Sequence, residues 1–143
     1  MSEPTGAMFS GHETKGRVLI VDDEPDVRKV VKMTLSKAGY DVIEAEDGEK
    51  AIEAIKAGET PLLLSVIISD IRMPKINGAE AINYFQQQWP RVPIIVLTGF
   101  PDMEMALGFL KRGVVDYLVK PVEKEKLMNA VANALGQRKL HSV

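Results

Sequence analysis

Cysteine is absent from the 143-residue chain, which excludes disulfides and thiolate metal sites. Histidine occurs only as His12 and His141, close to the two ends, so neither reads as a phosphodonor or a ligand. A strong charge of one sign is also missing: 18 basic residues against 20 acidic ones leave a formal net charge of −2. No basic stripe provides the footprint of a nucleic-acid binder. Long hydrophobic runs are lacking, since the stretches 62–69 and 93–97 are far too short to cross a bilayer. Residues 1–16 show neither periodicity nor a signal pattern and read as a flexible N-terminal arm or a cloning remnant. These absences predict a cytoplasmic location, no membrane partner and no direct contact with nucleic acid.

What is present is an ordinary globular balance, 45% hydrophobic and 27% charged, in a chain long enough for one core. The expected domain covers residues 17–138, with a short tail at 139–143. The continuous apolar run at 18–21 has the composition of a strand buried on both faces, and further short strands are read at 41–45, 65–69, 93–97 and 115–119. Between them, apolar residues recur at helical spacing: Val27, Val30, Val31, Leu35 and Ala38; Ala51, Ile52 and Ile55; Ile82, Phe85 and Trp89; Met105, Ala106, Phe109 and Leu110; and Leu127, Val131, Ala134 and Leu135. Gly39, Gly58, Gly113 and Gly136 and Pro90 mark helix ends. Met103 and Met105 read as core and interface filler. Five strands alternating with five helices predict a doubly wound parallel sheet, in the simplest case of order 2-1-3-4-5. Ligands in such sheets bind beyond the carboxyl ends of the strands, at the switch point between the first and third.

Those ends are rich in chemistry. The first strand runs into Asp22, Asp23 and Glu24, the third into Asp70, the fourth into Thr98, and the fifth into Lys120. Carboxylates crowded at one pocket raise one another's pKa unless a cation joins them, and a hard divalent ion such as Mg²⁺ answers that cost. Asp23 and Asp70 are then expected as direct ligands, with Asp22 acting through water. Lys120 and the Thr98 hydroxyl suit the oxygens of a transferring phosphoryl group, and Asp70, between metal and ammonium, suits the acceptor. Taken singly, the acids could instead start a helix or fill a turn, Lys120 be a surface charge, and Tyr117 a half-buried strand aromatic.

The runs VLIVDDE (18–24), ISDIRMP (68–74) with Asn77 and Gly78, the pair Thr98 and Gly99, and DYLVKP (116–121) together resemble the response-regulator receiver domain of two-component signalling. The resemblance covers residues 17–138 and implies a flavodoxin-like fold. It implies that Asp70 takes its phosphoryl group from a partner histidine kinase or phosphotransfer protein, and that the Arg72 backbone carbonyl joins Asp22, Asp23 and Asp70 around Mg²⁺. It further implies that Thr98 moves toward the phosphate while Tyr117 swings inward, reshaping the surface of helix four, strand five and helix five. That surface would serve a downstream protein, a tethered output domain or a homodimer. A cis Lys120–Pro121 bond also follows from the resemblance. By the same resemblance, Arg72 and Phe100 fall at places that in the family border the path of attacking water, which predicts slow self-dephosphorylation. The segment 59–64 is longer than the family's pattern. The competing enzyme reading, a Mg²⁺-dependent phosphatase with an aspartate nucleophile after strand one, needs two aspartates separated by one intervening residue, whereas Asp22 and Asp23 are adjacent.

Overall fold

The computed structural model describes residues 14–56, 64–71 and 78–142, excepting side chains beyond residue 136. Five strands, β1 (Arg17–Val21), β2 (Asp41–Ala45), β3 (Leu64–Ser69), β4 (Ile94–Thr98) and β5 (Asp116–Val119), form one parallel sheet in the order β2-β1-β3-β4-β5. Among the described residues they alternate with five helices, α1 (Pro25–Lys37), α2 (Gly48–Lys56), α3 (Gly78–Gln88), α4 (Met103–Lys111) and α5 (Lys124–Ser142). This is the doubly wound fold expected from the alternation.

Each strand divides its side chains between two faces, as a period of two requires. Leu19, Val21, Ile67, Ile94 and Val96 pack with Ala51 and Ile55 of α2, Ile82 and Phe85 of α3, and Phe109 of α4. Val18, Ile20, Val66, Ile68, Ile95 and Leu97 meet Val31 and Leu35 of α1 and Leu127, Ala130, Val131 and Ala134 of α5. A fully buried side chain the size of Phe85 contributes about 1.5–3 kcal/mol of transfer free energy.

Helix ends follow local chemistry. Asp47 Oδ1 accepts from the Lys50 amide at 2.8 Å ahead of α2, and Asp102 Oδ1 accepts from the Met105 amide at 3.1 Å ahead of α4. Gly39 and Gly113 leave α1 and α4 at φ +101° and +97°, a backbone region that side chains with a Cβ avoid.

Several expectations are corrected. The third strand begins at Leu64, which is wholly buried, so the last of the three leucines extends the strand; residues 59–63 lie outside the described residues. The fourth strand is 94–98 and the fifth 116–119, which makes Thr98 the last strand residue. Gly136 does not end α5, which continues to Ser142, because nothing at Gly136 turns the backbone to positive φ. Val30 is exposed, as are Met103, Met105 and Leu110, so the apolar spacing of α4 yields one buried anchor, Phe109, and the two methionines are not core. No described helix is long and apolar enough to cross a membrane.

Candidate functional site

The sheet register assembles the site. Val21 and Ser69 are partners across β1 and β3, so Asp22 and Asp70, each one residue further on, emerge side by side. Backbone bonds from Asp70 N to the Val21 carbonyl (2.9 Å) and from Asp22 N to the Ala45 carbonyl (3.1 Å) fix both positions. Thr98 and Val119 are partners across β4 and β5, and Lys120 N donates to the Thr98 carbonyl at 2.8 Å. Lys120 thus leaves the sheet on the same rim, and its bond to Pro121 is cis, as the resemblance implied.

There its side chain reaches back across the rim. Lys120 Nζ lies 2.7 Å from Asp22 Oδ2, 2.9 Å from Asp70 Oδ2 and 2.7 Å from Glu24 Oε1. Asp22 is wholly buried and Asp70 nearly so, whereas Asp23 and Glu24 face solvent. Burial pushes the Asp22 carboxyl above the ordinary carboxylate value, opposed by its ion pairing with Lys120 and by the hydrogen bond it accepts from the Glu24 amide, 2.9 Å from Oδ1. Burial alone would lower the pKa of Lys120, but bonds to Asp22, Glu24 and Asp70 overcome it and hold the ammonium above the usual lysine value.

Carboxylate oxygens of Asp22, Asp23 and Asp70 all lie within 4.8 Å of one another. Among the described residues, four acids, with Glu24, share this rim with one ammonium. The donor set is entirely oxygen, with an exposed member through which waters and a ligand can enter. These residues fit a hard divalent cation such as Mg²⁺. A cavity of about 540 Å³ opens beside them, lined by Asp23, Glu24, Asp70, Phe100 and Lys120 among others.

The structure therefore brings together Asp22, Asp23, Asp70 and Lys120. Thr98 is wholly buried at the end of β4, its Oγ1 accepting from the Phe100 amide at 3.1 Å. Tyr117 lies on β5 with a buried hydroxyl that has no hydrogen-bond partner among the described residues. Phe100 is exposed at the cavity wall. Arg72, expected to supply a carbonyl ligand, lies outside the described residues. The helix start read at the acids is present, with Glu24 as the N-cap of α1 and Pro25 as its first residue, but the Glu24 side chain makes no capping bond.

Two residues of the site were given no role by the sequence reading. Glu24 pairs with Lys120; its place directly after the two aspartates was the available signal. Arg28, one turn into α1, donates from Nη1 to the Asp22 carbonyl at 2.7 Å and from Nε to Glu44 Oε1 at 3.3 Å. It ties the acidic turn to β2, a contact that only the fold reveals.

Fold and site define a class: doubly wound α/β domains with an acidic, lysine-capped pocket at the switch point. Comparison with known proteins agrees. Residues 18–132 match the model of the response regulator receiver domain, and the chain belongs to that family. The C4-dicarboxylate transport transcriptional regulatory protein DctD of Pseudomonas aeruginosa is 32% identical over 132 residues, which cover 92% of this chain and 28% of DctD. This chain therefore spans little more than a quarter of that regulator. A receiver domain protein of Clostridium thermocellum superposes with a TM-score of 0.80 at 29% identity, covering 87% of this chain and 98% of the other. The Vibrio cholerae chemotaxis protein CheY4 gives 0.75 at 33% identity, over 84% and 98%. Receiver domains are phosphoacceptor switches of two-component regulators rather than turnover enzymes.

Proposed function

We propose that Asp70 accepts a phosphoryl group from a phosphohistidine on a partner kinase or phosphotransfer protein, and that the modified domain controls a downstream partner or a tethered output domain in the cytoplasm. The observation that carries this reading is the placement of Lys120 Nζ 2.9 Å from Asp70 Oδ2, with Asp70 itself grouped with Asp22 and Asp23 so that their carboxylate oxygens lie within 4.8 Å of one another. An Asp70 oxygen attacks phosphorus, the P–N bond breaks, and its electron pair stays on the imidazole, which takes up a proton. The product is an acyl phosphate on Asp70.

Mg²⁺, held by Asp22, Asp23, Asp70 and the Arg72 carbonyl, would neutralise charge on the phosphoryl oxygens when bound. Asp22, pinned by the Glu24 amide and by Lys120, acts through water. Lys120 donates to one phosphoryl oxygen. The Thr98 hydroxyl turns from its Phe100 contact to donate to another, and Tyr117 follows into the space vacated. Together these movements bias the α4, β5 and α5 face between two states. Phe100, on the cavity wall, screens the acyl phosphate from water, so Phe100→Ala should shorten its lifetime severalfold in a decay assay; an unchanged lifetime would refute that role.

The test of the reading is incubation with Mg²⁺ and acetyl phosphate, followed by intact-mass measurement. The native chain should gain one phosphoryl group, Asp70→Asn none, and a chelator should abolish the gain. A native chain that stays unmodified, or a mutant that does not, would overturn the assignment. A phosphatase acting from strand one is less well supported, because Asp22 is buried and already engaged at both oxygens.

A further inference from the structure

An ammonium has three N–H donors and no acceptor. Three carboxylate oxygens crowd Lys120 Nζ: it donates to Glu24 Oε1 at 2.7 Å and Asp70 Oδ2 at 2.9 Å, and the third side is filled by Asp22 Oδ2, an ion-pair contact at 2.7 Å outside hydrogen-bond geometry. A phosphoryl oxygen that binds Lys120 must therefore displace one of them. The three differ sharply in what displacement costs. Asp22 is wholly buried, and unpairing it would strand a charge in the interior. Asp70 is 4% exposed and anchored through its backbone to β1. The Glu24 side chain is 59% exposed, and released it returns to water. Its backbone is held as the N-cap of α1, with its amide on Asp22 Oδ1, so the side chain alone has to move. Glu24 also lines the cavity of about 540 Å³ that opens onto Asp70 and Lys120.

We propose that Glu24 is a placeholder on Lys120: it occupies one of the two donors that are hydrogen-bonded, keeping the ammonium aimed at the rim, and is displaced by the incoming phosphoryl group. It is a positioning residue, acting through Lys120, and the proposal rests on the reading of Asp70 as acceptor. Because displacement happens when the donor binds, Glu24 opposes donor binding without altering the chemical step. Removing its charge should then lower the donor concentration needed for half-maximal rate and leave the maximal rate in place.

The experiment follows the rate of Asp70 phosphorylation by acetyl phosphate, with Mg²⁺, across donor concentrations by intact mass, in the native chain, Glu24→Gln and Asp26→Asn. Asp26 carries the same charge two residues on but is not among the carboxylates paired with Lys120. Glu24→Gln should reduce the half-saturating donor concentration by about two- to fivefold, the range an exposed ion pair commands. The difference from native should fade near ~1 M salt, where the Debye length is about 3 Å. Asp26→Asn should behave as native. Three results would overturn the placeholder: equal half-saturation in Glu24→Gln and native, a fall in maximal rate in Glu24→Gln, or an equal gain from Asp26→Asn, which would reduce the effect to general charge. Failure of the native chain to take up phosphate would instead remove the Asp70 reading, and the placeholder with it.

Discussion

At the scale of single residues, the folded domain holds two groups at a disadvantage. Asp22 is one. Its folded carboxyl pKa lies above the ordinary 3.8 chiefly because of burial. Between those two values the folded state binds more protons than the unfolded, so stability falls as pH rises through that window, and the penalty persists at neutral pH. Asp22→Asn should therefore gain in Tm relative to the native metal-free domain as pH rises from 4 to 7. It should also flatten the acid side of the stability profile; scanning calorimetry from pH 4 to 7 measures both. Tyr117 is the other. Its hydroxyl is buried without a partner among the described residues, and such a group costs about 1–3 kcal/mol. Tyr117→Phe should stabilise the unphosphorylated domain by ~1 kcal/mol in urea titration, a gain that a hydrogen-bonded hydroxyl would turn into a loss.

At the scale of elements, the helices are unequally anchored. α3 buries Ala81, Ile82 and Phe85, and α5 buries Leu127, Ala130, Val131 and Ala134. α4 buries Phe109 alone, while Met103, Met105, Leu107 and Leu110 face solvent. A helix held by one side chain opens more readily than a strand buried on both faces. Amide hydrogen exchange should show α4 opening with a free energy at least about 2 kcal/mol below that of β1, β3 and β4; equal protection would show that α4 opens only with the whole domain. The exposed face of α4, with Val119 of β5, is also where the proposed switch would be read out. Its apolar spacing predicted a buried face, because periodicity identifies a helix side without saying what covers it.

At the scale of the molecule, the site is a meeting of strand ends, and any ion bound there is coupled to folding. Mg²⁺ at 100 times its dissociation constant should stabilise the native chain by about 2.7 kcal/mol, and Asp23→Asn should lose most of that gain. Thermal melts with and without Mg²⁺ check both. The order of elements was legible in the sequence because strands buried on both faces read as short apolar runs and helices between them repeat at 3.6 residues. The acids, Thr98 and Lys120 were legible too, since each directly ends or follows a strand, and the carboxyl edge of a doubly wound sheet collects such residues. Tertiary structure alone decided the rest. The register pairing Val21 with Ser69 and Thr98 with Val119 set which groups touch, and it brought Lys120 onto Glu24, 96 residues away in the chain. It also placed Arg28 beneath Asp22 and left α4 uncovered. Local patterns record which face of an element is apolar; burial, pairing and the competition of three carboxylates for one ammonium arise from groups distant in the chain, which meet only when the sheet closes.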